Sequence, residues 1–394
     1  MQPGPSDSPD RSALDEPAAP DQLDVLIVGA GPAGLGVAIA LGKAGVTSLR
    51  VIDRHEIGAS FRRWPREMRF ITPSFNANSF GLVDLNAITP TTSPAYTLEG
   101  ERISGPAYAK YLRVLARHYD VPVETGIDLF HVDPVPGGFH AGTNRGPIRA
   151  RFVLWAAGEF QYPRTTGFPG ADLCLHNARV NSWRDLVGDE PRDFIVIGGY
   201  ESGIDSAVAL SRLNQRVTVL DARPAWNDTT PDPSISLSPY TIQRLKAQLR
   251  YDRITLHGDA EITAVSRTDD LYTVHAGDGR TWTTSQPPIL ATGFAGSTTL
   301  VANLFERRDD GYPLLNDVDE STITPGLFLA GPSVRHDNVV LCFVYKYRQR
   351  FAVVAEEIAR RLEAIPAEED WLEDYRKHHF YLTDFSCCGD NCAC

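Results

Sequence analysis

Four of the six cysteines in this 394-residue chain, Cys387, Cys388, Cys392 and Cys394, fall within its last eight residues. Adjacent thiols followed by a Cys-x-Cys suit two chemistries: disulfide exchange through the thiolate, and transfer of a soft metal ion. Four sulfurs in so short a span also suffice for a structural Zn²⁺ knot. A surface tail without a role is the remaining reading. This is not a spread disulfide framework of the kind that staples small secreted domains. Cys342 stands alone at the start of an apolar helical pattern, as a packed thiol or a redox partner for the tail or a substrate. Cys174 lies in a loop-like stretch with no partner in sequence. The other residues able to do chemistry are glycines. Gly29-Ala30-Gly31-Pro32-Ala33-Gly34 reads G-x-G-x-x-G, a spacing that holds phosphates by backbone N–H groups.

The elements around those glycines have the right order. Val25-Leu26-Ile27-Val28 is an apolar strand, and a helical pattern follows from Leu35. Gly29 permits the tight turn, Gly31 lets backbone approach a pyrophosphate, and Gly34 lets helix pack on strand. The helix N-terminus then faces the phosphates with free N–H groups. A second strand, Leu49–Ile52, ends at Asp53, 24 residues past Gly29, where an acid bonds the ribose hydroxyls of an adenine dinucleotide. Arg54 to Pro73 reads as a loop running along that dinucleotide. Its Arg62-Arg63-Trp64 is either a surface patch with one packed indole or a basic group near a cofactor or anionic substrate. Thr72 to Gly105 is long and irregular, as lids and substrate loops are. Pro106 to Tyr119 is a helix with its tyrosines on the core side, and residues 121–152 alternate as short strands. Phe152 to Gly158 is a buried strand ending in small residues.

A second unit repeats the theme. Phe194–Ile197 leads into Gly198-Gly199-Tyr200-Glu201-Ser202-Gly203, where Tyr200 stands at the position of the middle glycine. The next strand, Val217–Leu220, ends at Asp221. That acid favours NADH by repelling a 2′-phosphate, whereas Arg223 favours NADPH; the balance leans to NADH. Ile289-Leu290-Ala291-Thr292-Gly293 is a second strand exit matching Val153 to Gly158, and Leu327–Leu329 before Gly331 is a last strand. Cys342 to Leu362 reads as one long helix.

Composition narrows the function classes. A net charge of −12 disfavours a nucleic-acid partner. No apolar run reaches the roughly 18 residues of a membrane span. Residues 1–21, rich in Pro, Ala, Ser and Asp, read as a disordered tail without a signal-peptide pattern, so the expected location is the cytoplasm.

The order of these motifs over about residues 24 to 363 resembles the two-dinucleotide-binding-domain flavoproteins: thioredoxin reductase-like enzymes, glutathione reductase relatives and flavin monooxygenases. The resemblance implies an α/β fold of two Rossmann-like, three-layer domains. FAD would lie on residues 22–165 with 286–363, NADH or NADPH on an inserted domain of residues 166–285, and residues 364–394 would form a C-terminal segment with the Cys-rich tail. It implies cofactor contacts from Gly29, Gly31, Pro32, Ala33, Gly34, Asp53, Arg54 and Trp64 in the first unit. The second unit would add Gly198, Gly199, Tyr200, Glu201, Ser202, Asp221 and Arg223, and Gly158, Thr292, Gly293 and Gly331 would complete the set. Cys342 would then lie near the flavin ring. The family's usual Gly-Asp at the last strand is Gly331-Pro332 here, so the acid that bonds the ribityl chain is missing.

Within the superfamily, Gly198 to Gly203 and Gly58 to Pro65 resemble the bacillithiol-disulfide reductase-like group. The cysteine that group can carry after the first fingerprint's proline is Ala33 here. With no C-x-x-C or C-x4-C in residues 1–386, the acceptor reading turns to the tail: a small disulfide, a thiol-bound substrate or a metal ion, reduced by way of Cys387, Cys388, Cys392 and Cys394. The resemblance leaves room for a homodimer. A flavin monooxygenase of a small organic substrate is the alternative, but its Phe-x-Gly-x3-His-x3-aromatic motif is degraded at Phe168, Gly170, His176 and Val180. A non-enzymatic FAD-binding sensor is a third class, opposed by two complete lobes.

Overall fold

Residues 25–28 are buried at every position, because the strand they form lies inside a parallel sheet with both faces covered. The structure is a computed structural model that describes residues 22–75, 83–98, 100–228, 230, 232 and 234–385. The four tail cysteines and residues 1–21 therefore lie outside the described residues.

The first lobe opens with β1 (Leu23–Val28), α1 (Pro32–Lys43) and β2 (Leu49–Asp53). The expected loop after Arg54 contains a short helix, α2 (Ala59–Arg62), and the irregular stretch contains another, α3 (Pro94–Leu98). Then follow α4 (Gly105–His118), β3 (Val123–Thr125), β4 (Leu129–Val135), β5 (Gly138–Thr143) and β6 (Gly146–Trp155). Ser104 caps α4 by accepting the Ala107 N–H, and Pro106 occupies its first turn. Tyr108 and Tyr111 are fully buried in the core, as their helical spacing implied.

The second lobe begins with β7 (Leu175–His176), β8 (Asp193–Ile197), α5 (Glu201–Arg212), β9 (Arg216–Leu220), α6 (Pro239–Leu249) and β10 (Ile254–His257). A three-stranded antiparallel sheet, β11 (Ile262–Thr268), β12 (Leu271–Ala276) and β13 (Thr281–Thr284), covers one face, and β14 (Ile289–Leu290) completes the parallel sheet. The chain then returns to the first sheet as β15 (Leu327–Leu329), followed by the hairpin β16 (Arg335–His336) and β17 (Val339–Val340).

The two principal sheets run β3-β2-β1-β6-β5-β4, with β15 also paired to β6, and β10-β9-β8-β14-β7. β15 joins in parallel register, Leu327 beside Val153 and Leu329 beside Trp155. The first sheet thus takes strands from residues 23–155 and 327–329, the second from residues 175–290. The two crossings between them lie side by side. Gly293 O accepts from Arg164 N–H at 3.0 Å, Tyr162 O from Ala295 N–H at 2.8 Å, and Thr292 Oγ1 donates to Arg164 O at 2.8 Å.

The helix expected over Cys342 to Leu362 starts instead at Val344 and tightens midway into a 3₁₀ turn. Cys342 precedes it in an irregular segment; α7 (Val344–Tyr347), a 3₁₀ turn (Arg348–Arg350) and α8 (Phe351–Arg361) follow, with α9 (Trp371–Lys377) beyond. Two buried guanidiniums lie at that turn, and each has its own acceptors. Arg348 donates to Asp84 O and Ala87 O on one side; Arg350 reaches Asp319, Asp317 O and Leu382 O on the other.

Candidate functional site

The first turn has the geometry its glycines require. Gly29 has φ +112°, and its N–H donates to Ile52 O at 2.8 Å. A Cβ on Gly34 would stand 1.9 Å from Gly29 O, so only glycine lets α1 seat against β1 here. A Cβ on Gly31 would meet nothing within 4 Å, because Gly31 borders open cavity at the head of α1. Pro32 at the first helical position has no N–H to waste. Asp53 closes the turn: its Oδ2 accepts the Ala30 N–H at 2.8 Å and its Oδ1 the His55 N–H at 2.8 Å.

The second turn copies this backbone almost atom for atom. Gly198 has φ +103° and donates to Leu220 O at 2.8 Å; a Cβ on Gly203 would stand 1.9 Å from Gly198 O. Asp221 accepts the N–H groups of Gly199 and, at 2.7 Å, of Arg223, as Asp53 does those of Ala30 and His55. Tyr200, in place of a middle glycine, has φ −88° and ψ −165°, against −89° and −171° for Gly31. Those angles suit any residue, so the substitution changes the surface and not the path of the chain. Two side chains set the second turn apart. Trp226 packs on Gly199, where a Cβ would come within 2.1 Å of its ring. Glu201, in the first turn of α5, is tied to the next helix by Ser238 N–H and by Thr241 Oγ1 at 2.6 Å.

Both turns face one cavity of about 530 Å³. Gly29, Gly31, Pro32, Ala33 and Asp53 line it from the first lobe, with Gly158 at the strand exit. Tyr200, Glu201 and Ser202 line it from the second. Trp64 is a wall residue, packed against Phe61 and Phe70 with ring centroids 5.0 Å away from each. Cys342 is on the wall as well, its Sγ donating to Ser234 Oγ at 3.3 Å. Burial pushes its thiol up, against the pull of Ser234, Lys346 and Arg335, so it rests protonated. Arg54 borders a smaller recess beside Gly29 and Asp53, where it holds Asp128 at 2.8 Å and Tyr162 at 3.1 Å.

The remaining expected residues act one layer back. Gly34, Gly198 and Gly199 shape the turns; Asp221 braces one of them; the Arg223 side chain is exposed. Thr292 and Gly293 belong to the crossing, and a Cβ on Gly331 would stand 3.3 Å from Ala33 Cβ, tying the last strand to α1. Cys174 is not among the residues of the cavity wall, and burial first, then Asp172, pushes its thiol up to about 12. Cys387, Cys388, Cys392 and Cys394 lie outside the described residues. Among the described residues no group of three or more His, Cys, Asp or Glu is placed to hold a metal, and no helix is long and apolar enough to cross a membrane.

A clasp holds the lobes around this cavity. Lys346, buried, pairs with Asp232 at 2.8 Å and donates to Ser234 at 2.9 Å. Glu67 also ties the two lobes, accepting from Ser182 Oγ at 2.6 Å and from Trp183 N–H at 3.1 Å. His176, the histidine of the degraded monooxygenase motif, is a buried brace. Its Nδ1 accepts the Ala178 N–H at 3.1 Å and its Nε2 bonds Gly293 O at 3.1 Å. Sequence reasoning missed Glu159, Arg335 and Tyr347 on the wall. The one local signal was a glutamate directly after the small-residue exit Ala157-Gly158, where a charge is out of pattern.

The residues fit a dinucleotide on the first lobe: an open helix N-terminus, a glycine with free space beside it, and an acid at the end of the second strand. The second lobe offers the same backbone donors at the head of α5. The family model described as pyridine nucleotide-disulphide oxidoreductase matches residues 26–331. The chain belongs to that family. Bacilliredoxin reductase Bdr of Bacillus subtilis (strain 168) is 24% identical over 343 residues, 86% of this chain and 98% of that protein. The solved structure of bacillithiol disulfide reductase Bdr from Staphylococcus aureus superimposes with a TM-score of 0.71 at 20% identity, covering 86% of this chain and 99% of its own. A flavin-containing monooxygenase from Stenotrophomonas maltophilia shares the fold with a TM-score of 0.68 at 15% identity, covering 87% and 99%. This chain is an FAD-dependent NAD(P)H oxidoreductase with two Rossmann-like domains. FAD and NAD(P)H supply the hydride chemistry in this family.

Proposed function

We propose that this oxidoreductase uses NAD(P)H to reduce a low-molecular-weight disulfide in the cytoplasm, with the tail cysteines Cys387, Cys388, Cys392 and Cys394 relaying electrons to it. One observation carries the reading: both fingerprint helices open onto one cavity whose only thiol, among the described residues, is the protonated Cys342. No described cysteine pair stands beside that cavity to act as an internal relay. The likeness to Bacillus subtilis bacilliredoxin reductase over nearly its whole length supports a disulfide as acceptor.

In this reading residues 22–165 and 286–363 carry FAD, and residues 166–285 carry the nicotinamide cofactor. The carboxylate of Asp221 supports NADH over NADPH. The tail has a fixed point of departure. Phe385, the last described residue, stacks on His336 at 4.6 Å, and the Arg350 guanidinium lies 5.1 Å from its ring centroid.

The test offers NADH or NADPH with small disulfides, with thiophilic metal ions, and with O2 plus small organic substrates. A chain truncated after Phe385 is run alongside. The reading expects disulfide turnover that falls on truncation while flavin bleaching by the nicotinamide persists. Undiminished turnover without the tail would sink the relay, and stoichiometric oxygenated product would replace the disulfide reading altogether.

A further inference from the structure

Four carboxyl groups line the cavity: Asp53, Glu159, Glu201 and Asp205. Three are committed within the protein. Asp53 spends both oxygens on backbone N–H groups, and Glu201 spends both on the head of α6. Asp205 is buried and paired through Oδ1 with Arg244 at 2.6 Å, although its Oδ2 has no hydrogen-bond partner among the described residues. Glu159 differs: among the described residues neither of its carboxylate oxygens is in a hydrogen bond or an ion pair. Its backbone is nonetheless held in place. Gly158 before it takes φ +64°, and Glu159 O accepts the Tyr162 N–H at 2.8 Å. A rigid turn therefore presents an uncommitted carboxyl group to the space where the two cofactor lobes meet.

Reduction of a disulfide by a nicotinamide requires a proton beyond the hydride: NAD(P)H + H⁺ + RSSR → NAD(P)⁺ + 2 RSH. The C–H bond of the nicotinamide and the S–S bond break, and two S–H bonds form. The hydride brings two electrons and one proton, so the second proton must come from an acid. We propose that Glu159 is that acid, donating its proton to the product of the acceptor and recovering it from solvent. The inference rests on the reductase reading for its natural acceptor, but any two-electron acceptor that leaves protonated makes the same demand.

The groups facing Glu159 suit the role. Arg335, on β16, already donates to Pro332 O at 2.7 Å and Val334 O at 2.9 Å and lies 4.0 Å over the Tyr312 ring; its guanidinium cannot release a proton usefully. Tyr347, on α7, is buried, and that burial raises its hydroxyl further from neutrality. Cys342 is raised as well. Burial lifts the Glu159 carboxyl above its ordinary range, with Arg335 opposing, so more of it stays protonated as pH rises toward neutral. Its donating form is lost as pH climbs through that raised value.

The test is stopped-flow reoxidation of the NAD(P)H-reduced holoenzyme by two acceptors: menadione, which takes protons with its electrons, and ferricyanide, which takes electrons alone. Glu159→Gln should slow reoxidation by menadione by about 10²-fold and flatten its decline with rising pH, while ferricyanide stays within about twofold. Glu159→Asp should restore a pH-dependent limb. Equal slowing with both acceptors, an unchanged pH profile, or a Glu159→Gln enzyme purified without its flavin would each overturn the assignment. Neither acceptor is a disulfide, so failure here is separate from failure of the disulfide reading.

Discussion

Gly31 and Gly34 are three residues apart, yet the geometry gives them opposite sensitivities. A Cβ on Gly34 would stand 1.9 Å from Gly29 O, where 3.4 Å is the near limit of ordinary contact. Gly34→Ala must therefore part β1 from α1 by roughly 1.5 Å, an overpacking cost of about 1–3 kcal/mol. For a lobe of this size that is a melting shift of about 2–12 °C. A Cβ on Gly31 meets no protein atom within 4 Å, so the flavin-free Gly31→Ala protein should lose no more than about 0.5 kcal/mol. Its added methyl instead enters the space where the pyrophosphate must approach backbone N–H groups. Losing one or two charge-assisted hydrogen bonds, about 1.5–3 kcal/mol each, weakens FAD binding by between roughly 10-fold and 10⁴-fold. Urea unfolding of the flavin-free proteins reads the first quantity, and quenching of flavin fluorescence on titration reads the second. If Gly31→Ala unfolds as readily as Gly34→Ala, or binds FAD like the unaltered chain, the open face of α1 is not the phosphate site.

Asp232→Asn should weaken the clasp on the buried Lys346 ammonium, costing about 1–2 kcal/mol because Asp232 itself is partly exposed, a loss measurable by chemical denaturation. Acid should weaken the seam around β15. Burial opposes ionisation of Glu320, but Arg361, the Gly326 N–H and Asn316 together hold its carboxyl below the ordinary 4.5. A depressed folded-state value means the contribution is present above about pH 4.5 and fades as pH falls through that value. Urea midpoints for the unaltered chain and Glu320→Gln should therefore differ at neutral pH and converge in acid. Cys174 and Cys342, both raised, should react with iodoacetamide far more slowly at pH 7.5 than a free thiol of ordinary pKa. Peptide mass spectrometry over a time course would show it, and rapid labelling of Cys342 would mean that its thiol is not protonated at rest.

What could be read from the sequence was what the chain settles locally. Val25 to Gly34 carries its strand, turn and helix in ten residues, and Asp53 and Asp221 stand where the period of one β-α-β unit puts them. The two exits at Gly158 and Gly293 were visible for the same reason. What stayed hidden depends on distant partners. Nothing near Gly199 in sequence announces that Trp226 will cover it. The partners of the buried Arg348 and Arg350 are Asp84, Ala87, Asp319 and Leu382, none of them close along the chain. Glu159 and Arg335 come together only because β6 and the segment after β15 end side by side.

That same pairing governs the order in which the molecule can be assembled. β6 ends at Trp155, and its partner β15 begins at Leu327, after the whole second sheet. Synthesis proceeds from the N-terminus, so the second lobe can collapse as a unit while the first still lacks the strand that pairs with β6 and the helix α8. Ten consecutive residues of α1, Pro32 to Leu41, are buried in the finished protein, and α8 supplies part of that cover. Until it arrives, an apolar helix face must wait in water, a known hazard for aggregation. The closing contacts span long loops, which slows their formation. The lobe that begins the chain is therefore the last to be finished, and its most apolar helix is the part most in need of shelter on the ribosome.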